Sequence, residues 1–411
     1  MIRRQGIDVL AVERMDRAIR RSGRRFLART FTPAELAYCQ GRPDRLAGRW
    51  TAKEAVIKCF DRTPICFPRS RIEVLPSDTG APEVRLLGED ARGAEVQVSI
   101  THQGGIAIAG AWLEMPDADE LPLPAPEAVR LPERPAGGHK GTFGTVVAVA
   151  GSRGFTGAAY LTATAAARSG AGLVRLLVAE GIYLILAVKC TEVMATPVAE
   201  DEPGAIGSMA LNAVLEHLGA ASAGVIGPGL GREPATWRLV QETVTRATCP
   251  LVLDADALNA LAEARHLLPV LGERRVLTPH PGEMARLTGR LTSEVQADRR
   301  QVAGLAAREW GAVVVLKGAR TVVAAPDGRV SEDPHQVPAL ASGGTGDVLA
   351  GLIAGLMAQG SDAYTAAVTG VYVHAEAGRR LQARQGSAGL LASELLPAIP
   401  IVMKAIREAN G

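Results

Sequence analysis

Cysteine is scarce and unpatterned in this chain. Five are scattered along 411 residues (Cys39, Cys59, Cys66, Cys190 and Cys249), an odd total with no CxxC pair. That excludes a disulfide framework and a zinc ribbon, and it fits reduced thiols in a cytoplasm. Long apolar runs are missing as well: the longest clean one, residues 182–188, is far too short to span a bilayer. Arg3, Arg4 and Asp8 interrupt the N-terminus, so it lacks a signal-peptide core. An excess of one charge sign is also absent, the formal net charge being +2, which gives no overall reason to expect nucleic acid or a membrane as partner. No internal repeat or low-complexity tract is visible. The expectation is a soluble cytoplasmic protein long enough for two or three domains.

What the chain does carry is the stretch PALASGGTGDVLAG at 338–351. Small residues and three glycines fill 342–346. Asp347 then opens a run in which Val348, Leu349, Leu352, Ile353, Leu356 and Met357 recur at helical spacing, predicting a buried helix that ends before Gly360. A glycine-rich turn feeding a helix exposes unpaired N–H groups and the positive end of the helix dipole, which makes an anion site. Asp347 stands beside it as a candidate base; the plainer reading is an aspartate that caps the helix.

Residues 1–114 read as a small α+β unit. A strand near 6–9 leads into a helix over 12–21, and further helices follow at 33–39 and 46–60. Four strands are then predicted at 72–75, 83–87, 96–100 and 106–112. Residues 115–126 hold Pro116, Pro122, Pro124 and Pro126 among Asp and Glu, the composition of a solvated linker. From 127 to 411 short apolar runs alternate with helical stretches: TVVAVAG, LVRLLVA, AGVIGPG, PLVLDAD, VLTPH and VVVLKG. Such runs predict a parallel, doubly wound sheet, with ligands at the carboxyl ends of its strands.

Those ends are chemically distinctive. GPGLG at 227–231 lets a nucleotide press against backbone, or is a plain tight turn. Asp254 and Asp256 can contact a hydroxylated ligand, although capping the next helix is the expectation for one of them. In TPHPGE, Glu283 is placed to hold Mg²⁺ through water and His280 to bond a substrate; a polar surface turn is the alternative. Lys317, with Gly318 and Thr321, suits phosphate.

These strand ends together with the GGTGD turn resemble the ribokinase-like fold. In that superfamily the Asp of the turn deprotonates a substrate hydroxyl, and the N–H groups stabilise charge on the transferring phosphoryl. The resemblance sharpens over roughly 127–400. HKGTFGTVVAVAGS, FTGAAYL, RSGAGLVR, TEVM, GPGLG, PLVLDADALNAL, LTPHPGEMARL, LKGARTVV and ASGGTGDVLAGLIAGLMAQG occur in the order seen in bacterial NAD(P)H-hydrate dehydratases. The resemblance implies repair of hydrated NADH or NADPH at the expense of ADP, with ATP used in the eukaryotic branch. It implies that Ala158, Gly229, His280 and Asp347 contact the hydrated dinucleotide. It places Lys317, Gly318, Ala319, Arg320, Thr321 and Gly346 at the adenine nucleotide. Two departures are visible: Ser342 stands where Thr is usual, and residues 337–340, VPAL, lack the Asn and Met expected there.

The N-terminal unit has its own signature. GIDVLAVER ends a strand with Asp8, and RWTAKEAVIKC puts Glu54 and Lys58 at i, i+4 with Lys53 adjacent. Carboxylates and lysines of this kind serve a Mg²⁺–pyrophosphate site, or else simply pair on a solvated helix. With FLARTFTPAEL and VSITHQGGIAIAGAWLE, these stretches resemble bacterial holo-acyl-carrier-protein synthase over 4–114. That family transfers 4'-phosphopantetheine from coenzyme A (CoA) to a serine of the apo acyl carrier protein. The resemblance implies Asp8 and Glu54 as Mg²⁺ ligands, with Lys58, Lys53, Thr101 and His102 at CoA. It implies a basic helix bearing Arg14, Arg21 and Arg24 that steers the acidic carrier protein. It also implies a homo-oligomer, since such synthases are commonly trimers. FDRT at 60–63 departs from the family's glycine-rich continuation through Asp61 and Arg62. Nucleic acid is the rival partner for the arginines, but no aromatics interleave with them.

The expectation is therefore bifunctional. A small α+β phosphopantetheinyl transferase domain (1–114) is followed by a Pro-rich linker (115–126) and an α/β doubly wound ribokinase-like dehydratase (127–411). The alternative is a vitamin-alcohol kinase behind a non-catalytic carrier-protein-binding module.

Overall fold

The computed structural model describes residues 2–60, 67–87, 94–115 and 125–410. It falls into two compact units, Met1–Leu121 and Pro122–Gly411. Most of the predicted linker, residues 116–124, lies outside the described residues, as do Asp61, Arg62 and Cys66.

The first unit runs β1 (Ile2–Ala11), α1 (Val12–Thr30), α2 (Pro33–Cys39), α3 (Pro43–Cys59), β2 (Ile72–Pro76), β3 (Pro82–Leu86), β4 (Glu95–Gln103) and β5 (Ile106–Met115). Its strands form one antiparallel sheet in the order β1-β5-β4-β3-β2. Gly6 explains how closely α3 lies on β1: a Cβ there would stand 2.0 Å from the Ala55 carbonyl oxygen. Ala52, Ala55, Val56 and Cys59 then pack with Ala109, Ala111 and Leu113 of β5 in one buried cluster. Helix α1 runs well past its predicted end at 21, because Gly23 (φ 51°, ψ −142°) breaks the helix without ending it.

The second unit alternates strand and helix: β6 (Thr145–Val149), α4 (Thr156–Arg168), β7 (Leu173–Ala179), α5 (Glu180–Lys189), β8 (Met194–Val198), the short β9 (Glu200–Glu202) and β10 (Ala205–Ile206), α6 (Leu211–Gly219), β11 (Ala223–Ile226), α7 (Pro234–Arg246), β12 (Leu251–Leu253), α8 (Asp256–Ala262), β13 (Arg275–Leu277), α9 (Pro281–Thr288), α10 (Thr292–Ala297), α11 (Arg299–Trp310), β14 (Val313–Leu316), β15 (Val322–Ala324), β16 (Val330–Glu332), α12 (Thr345–Ala358), α13 (Ala363–Gln385) and α14 (Ala392–Asn410). Seven strands are parallel, in the order β14-β13-β12-β11-β6-β7-β8. Every residue of β11, β12, β13 and β14 is buried, so both faces of the sheet centre are covered. The doubly wound parallel sheet is thus observed with one addition: β15 and β16 extend it antiparallel from β14.

The glycine-led helix α12 packs against α4 through two glycines one turn apart. A Cβ at Gly351 would lie 2.0 Å from the Thr162 carbonyl oxygen, and one at Gly355 would lie 1.9 Å from Ser169 Oγ. Small residues here let the two backbones approach closely, which sets the height of the GGTGD turn above the strand ends. Among the described residues no helix is long and apolar enough to cross a membrane.

Candidate functional site

The turn at 342–347 is pinned before it reaches the helix. Gly344 takes φ 91°, and a Cβ there would meet Leu161 at 2.7 Å. Thr345 Oγ1 donates to the carbonyls of Leu340 (2.9 Å) and Ser342 (3.0 Å), and His374 Nε2 donates to Thr345 O at 2.9 Å. Burial pushes His374 down to about 4, so the ring is neutral and serves as a fixed donor. Gly344 is the cap residue of α12 and no side chain caps the helix, so Asp347 is not a capping aspartate. Burial, reinforced by Asp254, lifts its carboxyl to about 7, with Lys317 opposing. An aspartate poised there can accept a proton at neutral pH.

Facing it is a charge cluster carried by three strand ends. Lys317 Nζ lies 2.7 Å from Asp254 Oδ1, which also accepts from Thr278 Oγ1 at 2.7 Å. Burial alone would lower the lysine pKa; Asp254 and Glu283 outweigh it and hold it raised. A Cβ on Gly346 would stand 3.4 Å from Lys317 Nζ, so glycine keeps the ammonium beside the turn.

His280 and Glu283 form a capping box for α9. His280 Nδ1 accepts from the amides of Gly282 (3.0 Å) and Glu283 (3.3 Å), and Glu283 Oε2 accepts from His280 N–H at 2.8 Å. Burial lowers the His280 pKa, and with Nδ1 accepting, the neutral ring carries its proton on Nε2, which lies 3.4 Å from Glu283 Oε1 while the side chain is half exposed. Glu283, the residue expected to hold Mg²⁺ through water, has its carboxylate engaged by the helix start, with Lys317 at 3.9 Å. Burial raises it to about 7.

The predicted nucleotide loop lines a cavity of about 360 Å³. Lys317, Gly318, Ala319, Thr321 and Gly346 contribute to its wall, with Val337, Pro338 and Leu340 opposite. Arg320 is not part of that wall; at φ 54° its guanidinium pairs with Glu332 at 3.7 Å. The cavity floor holds residues that motif reasoning missed. His335 bonds Asp333 (2.9 Å) through Nδ1 and Glu376 (3.0 Å) through Nε2, and Glu376 in turn binds Arg379 and Arg380. Burial opposes the charge on His335, but the two carboxylates hold it up to about 9.

On the other side of α12, Gly229 (φ 62°) approaches α4 so closely that a Cβ would stand 2.8 Å from that of Ala158. Ser152 Oγ donates to Gly229 O at 2.8 Å, and Gly231 N–H to Asp256 Oδ2 at 2.9 Å. Two of the four residues expected at the dinucleotide, Ala158 and Gly229, therefore meet. Neither Asp254 nor Asp256 caps α8, whose cap position is Ala255 without a side-chain bond. Asp254 is committed to Lys317, a role a strand-end aspartate does not announce in sequence.

In the first unit, Asp8, Arg14, Phe26, Trp50, Glu54 and Arg69 line a second cavity, of about 440 Å³. Lys58 Nζ bonds Asp8 Oδ1 at 2.9 Å, and Arg69 Nε bonds Glu54 Oε1. Two carboxylates in one polar cavity fit a Mg²⁺ ion whose remaining ligands are phosphate and water oxygens. Lys53 does not join them. Its wholly buried Nζ pairs with Glu35 at 2.6 Å and donates to the carbonyls of Arg69 and Ile72. Cross-strand register puts His102 level with Ala107 and Leu10, on the sheet face that carries Asp8. Thr101, level with Ile108 and Val9, lies on the opposite face. Arg14, Arg21 and Arg24 are exposed on α1, while Arg20 is paired with Asp16 at 2.9 Å.

An α/β unit with a glycine-turn carboxylate at its strand ends is the architecture of ribokinase-like proteins. An Enterococcus faecalis protein of that superfamily shares it at 25% identity and TM-score 0.58, covering 69% of this chain and 98% of that one. Residues 146–401 match the NAD(P)H-hydrate dehydratase family model, and the chain belongs to that family. Residues 4–109 match the 4'-phosphopantetheinyl transferase superfamily. An ADP-dependent (S)-NAD(P)H-hydrate dehydratase of Xanthomonas campestris is 41% identical over 69% of this chain and 92% of its own length. A bifunctional NAD(P)H-hydrate repair enzyme of Moorella thermoacetica is 48% identical over 68% of this chain and 53% of its own length. The chain thus spans about half the length of that and several other curated relatives. A Bacillus subtilis ADP/ATP-dependent NAD(P)H-hydrate dehydratase co-crystallised with ATP and Mg²⁺ is 33% identical, at TM-score 0.56, over 67% of this chain and 94% of that one.

Proposed function

We propose that the second unit dehydrates NAD(P)H hydrate to NAD(P)H, consuming ADP or ATP. The observation that carries the reading is Asp347: uncommitted to capping, raised to about 7, and next to Gly346 on the wall of the Lys317 cavity. Asp347 takes the proton from the hydroxyl of the hydrated nicotinamide ring. That oxygen bonds the terminal phosphorus of the nucleotide as the bridging P–O bond breaks, releasing AMP from ADP. Phosphate then departs from the ring carbon, the neighbouring carbon loses a proton, and the double bond is restored. Phosphate is a far better leaving group than hydroxide. Lys317 and the free amides at the start of α12 stabilise the moving charge. His280, Gly229 and Ala158 hold the dinucleotide; Lys317, Gly318, Ala319, Thr321 and Gly346 hold the nucleotide.

The first unit is a phosphopantetheinyl transferase in this reading, with Asp8 and Glu54 holding Mg²⁺ and Lys58 and His102 at CoA. When bound, Mg²⁺ supplies positive charge against the coenzyme's pyrophosphate. Exposed Arg14, Arg21 and Arg24 meet the acyl carrier protein. The outward face of β1 and β5 bears exposed Ile7, Val9, Ile106, Ile108 and Trp112, with Val9 directly opposite Ile108, an apolar surface suited to a second copy of the chain. Thr101 lies on that face, so its contact with CoA belongs to a homo-oligomer. The functional division is 1–114, a linker at 115–126 and 127–411, in the cytoplasm.

The test incubates the full chain with hydrated NADH and each nucleotide, and follows recovery of reduced-nicotinamide absorbance together with phosphate release. Nucleotide consumption without recovery of absorbance would overturn the dehydratase reading. A parallel incubation with apo carrier protein, CoA and Mg²⁺ must add mass to the carrier.

A further inference from the structure

Neither carboxylate of the first unit's cavity stands free, and each is held by its own cation. Lys58 Nζ reaches Asp8 Oδ1 at 2.9 Å and the Ile7 carbonyl at 2.7 Å. Arg69 Nε reaches Glu54 Oε1, and its guanidinium carbon sits 4.7 Å from the centre of the Trp50 ring. The backbone behind Arg69 is fixed as well, because its carbonyl accepts from the buried Lys53 Nζ at 2.8 Å. Lys53 is locked in turn by Glu35. A motif reading finds Asp8, Glu54 and Lys58; Arg69 comes from a different segment, and only the fold brings it to Glu54.

This pairing has a consequence for the order of binding. A divalent cation arriving alone competes with Arg69 for the charge of Glu54 and with Lys58 for that of Asp8. It then leaves two side-chain cations in the cavity without counter-charge, beside a new dication. A metal arriving with a pyrophosphate brings the missing negative charge. The released guanidinium, planar and stacked on Trp50, presents a donor fork that matches phosphate oxygens.

We infer that Arg69 is a specificity-determining residue that makes this cavity take a divalent cation together with a pyrophosphate and not as the bare ion. The inference rests on the reading of Asp8 and Glu54 as metal ligands. Because coupling is reciprocal, the pyrophosphate tightens the metal by the same factor as the metal tightens the pyrophosphate.

The experiment is an Mn²⁺ titration of the full-length protein, with free Mn²⁺ read by its paramagnetic resonance signal, with and without CoA. A protein-free titration corrects for Mn²⁺ held by CoA in solution. Wild-type protein is expected to bind Mn²⁺ about tenfold or more tightly once CoA is present. Arg69→Gln is expected to bind bare Mn²⁺ about tenfold more tightly than wild type and to lose most of the CoA effect. Arg69→Lys, which keeps a cation without the planar fork, should fall between them. Wild-type affinity that ignores CoA overturns the inference without using any variant. Bare-ion affinity unchanged in both variants, with CoA coupling intact, also overturns it while leaving the metal site standing. Absence of Mn²⁺ binding with CoA present overturns the metal assignment itself, and the inference with it.

Discussion

Lys317 and Asp254 join the ends of two strands that are not neighbours in the sheet, their charged atoms 2.7 Å apart across the end of β13. Asp254 is almost wholly buried and Lys317 largely so. Removing one partner strands the other: Lys317→Met should destabilise the second unit by about 3 kcal/mol, whereas adding Asp254→Asn should restore part of that loss. Urea unfolding of the two single variants and the double variant checks this. Additive losses would mean that the pair does not act as a unit.

Asp347→Asn should lower dehydration by about 10³-fold or more and leave carrier-protein modification unchanged. Loss of both activities would contradict separate sites. The same substitution carries a stability signature. The Asp347 pKa is raised in the fold from 3.8 to about 7, so the protonated form favours the folded state. Its contribution is complete below the unfolded pKa and is lost as pH rises through about 7. Asp347→Asn should therefore melt about 3 °C or more above wild type at pH 8, with the gap closing toward pH 4. Wild-type turnover should rise through the same neutral range as the base ionises.

Gly355→Ala places a methyl group where only 1.9 Å separates the Cβ position from Ser169 Oγ. Helix α12 must then shift away from α4 and carry Asp347 with it. About 2 kcal/mol of stability should be lost, together with kcat at unchanged nucleotide affinity. Wild-type kcat in this variant would show that the helix spacing does not position the base. Thermal melts and steady-state kinetics report the two effects.

Lys53→Met separates a structural role from coenzyme binding. With its partner gone, the wholly buried Glu35 carboxyl loses its counter-ion, so the first unit should lose about 3 kcal/mol or more of stability. A well-folded variant with a raised KM for CoA alone would return Lys53 to the coenzyme site. Thermal unfolding beside transferase kinetics decides.

Elements with strong local signals are legible in the amino-acid sequence. The buried strands at 145–149 and 313–316 and the helix after GGTGD announce themselves through apolar runs and punctuating glycines. Asp347 and Lys317 stand out through motifs, and the resemblance points to Ala158 and Gly229, whose contact with each other only the fold reveals. The hairpin β15–β16 is not, since its strands are three residues each and carry little periodicity. Lys53 misleads because a lysine beside Glu54 looks the same in sequence whether it faces a cavity or a core. Asp254, His335 and Arg69 owe their roles to partners 63, 41 and 15 residues away, pairings that only the folded chain creates.

The two glycines of α12 also act as an index. They sit four residues apart, one over Thr162 and the other over Ser169, so each notch receives its own piece of α4. Sliding the helix by one turn, about 5.4 Å, would leave one of those crossings without its notch. The carboxylate one turn before Gly351 is therefore held at a single station along the helix axis, and drift over the lifetime of the fold would have to unpack both crossings together.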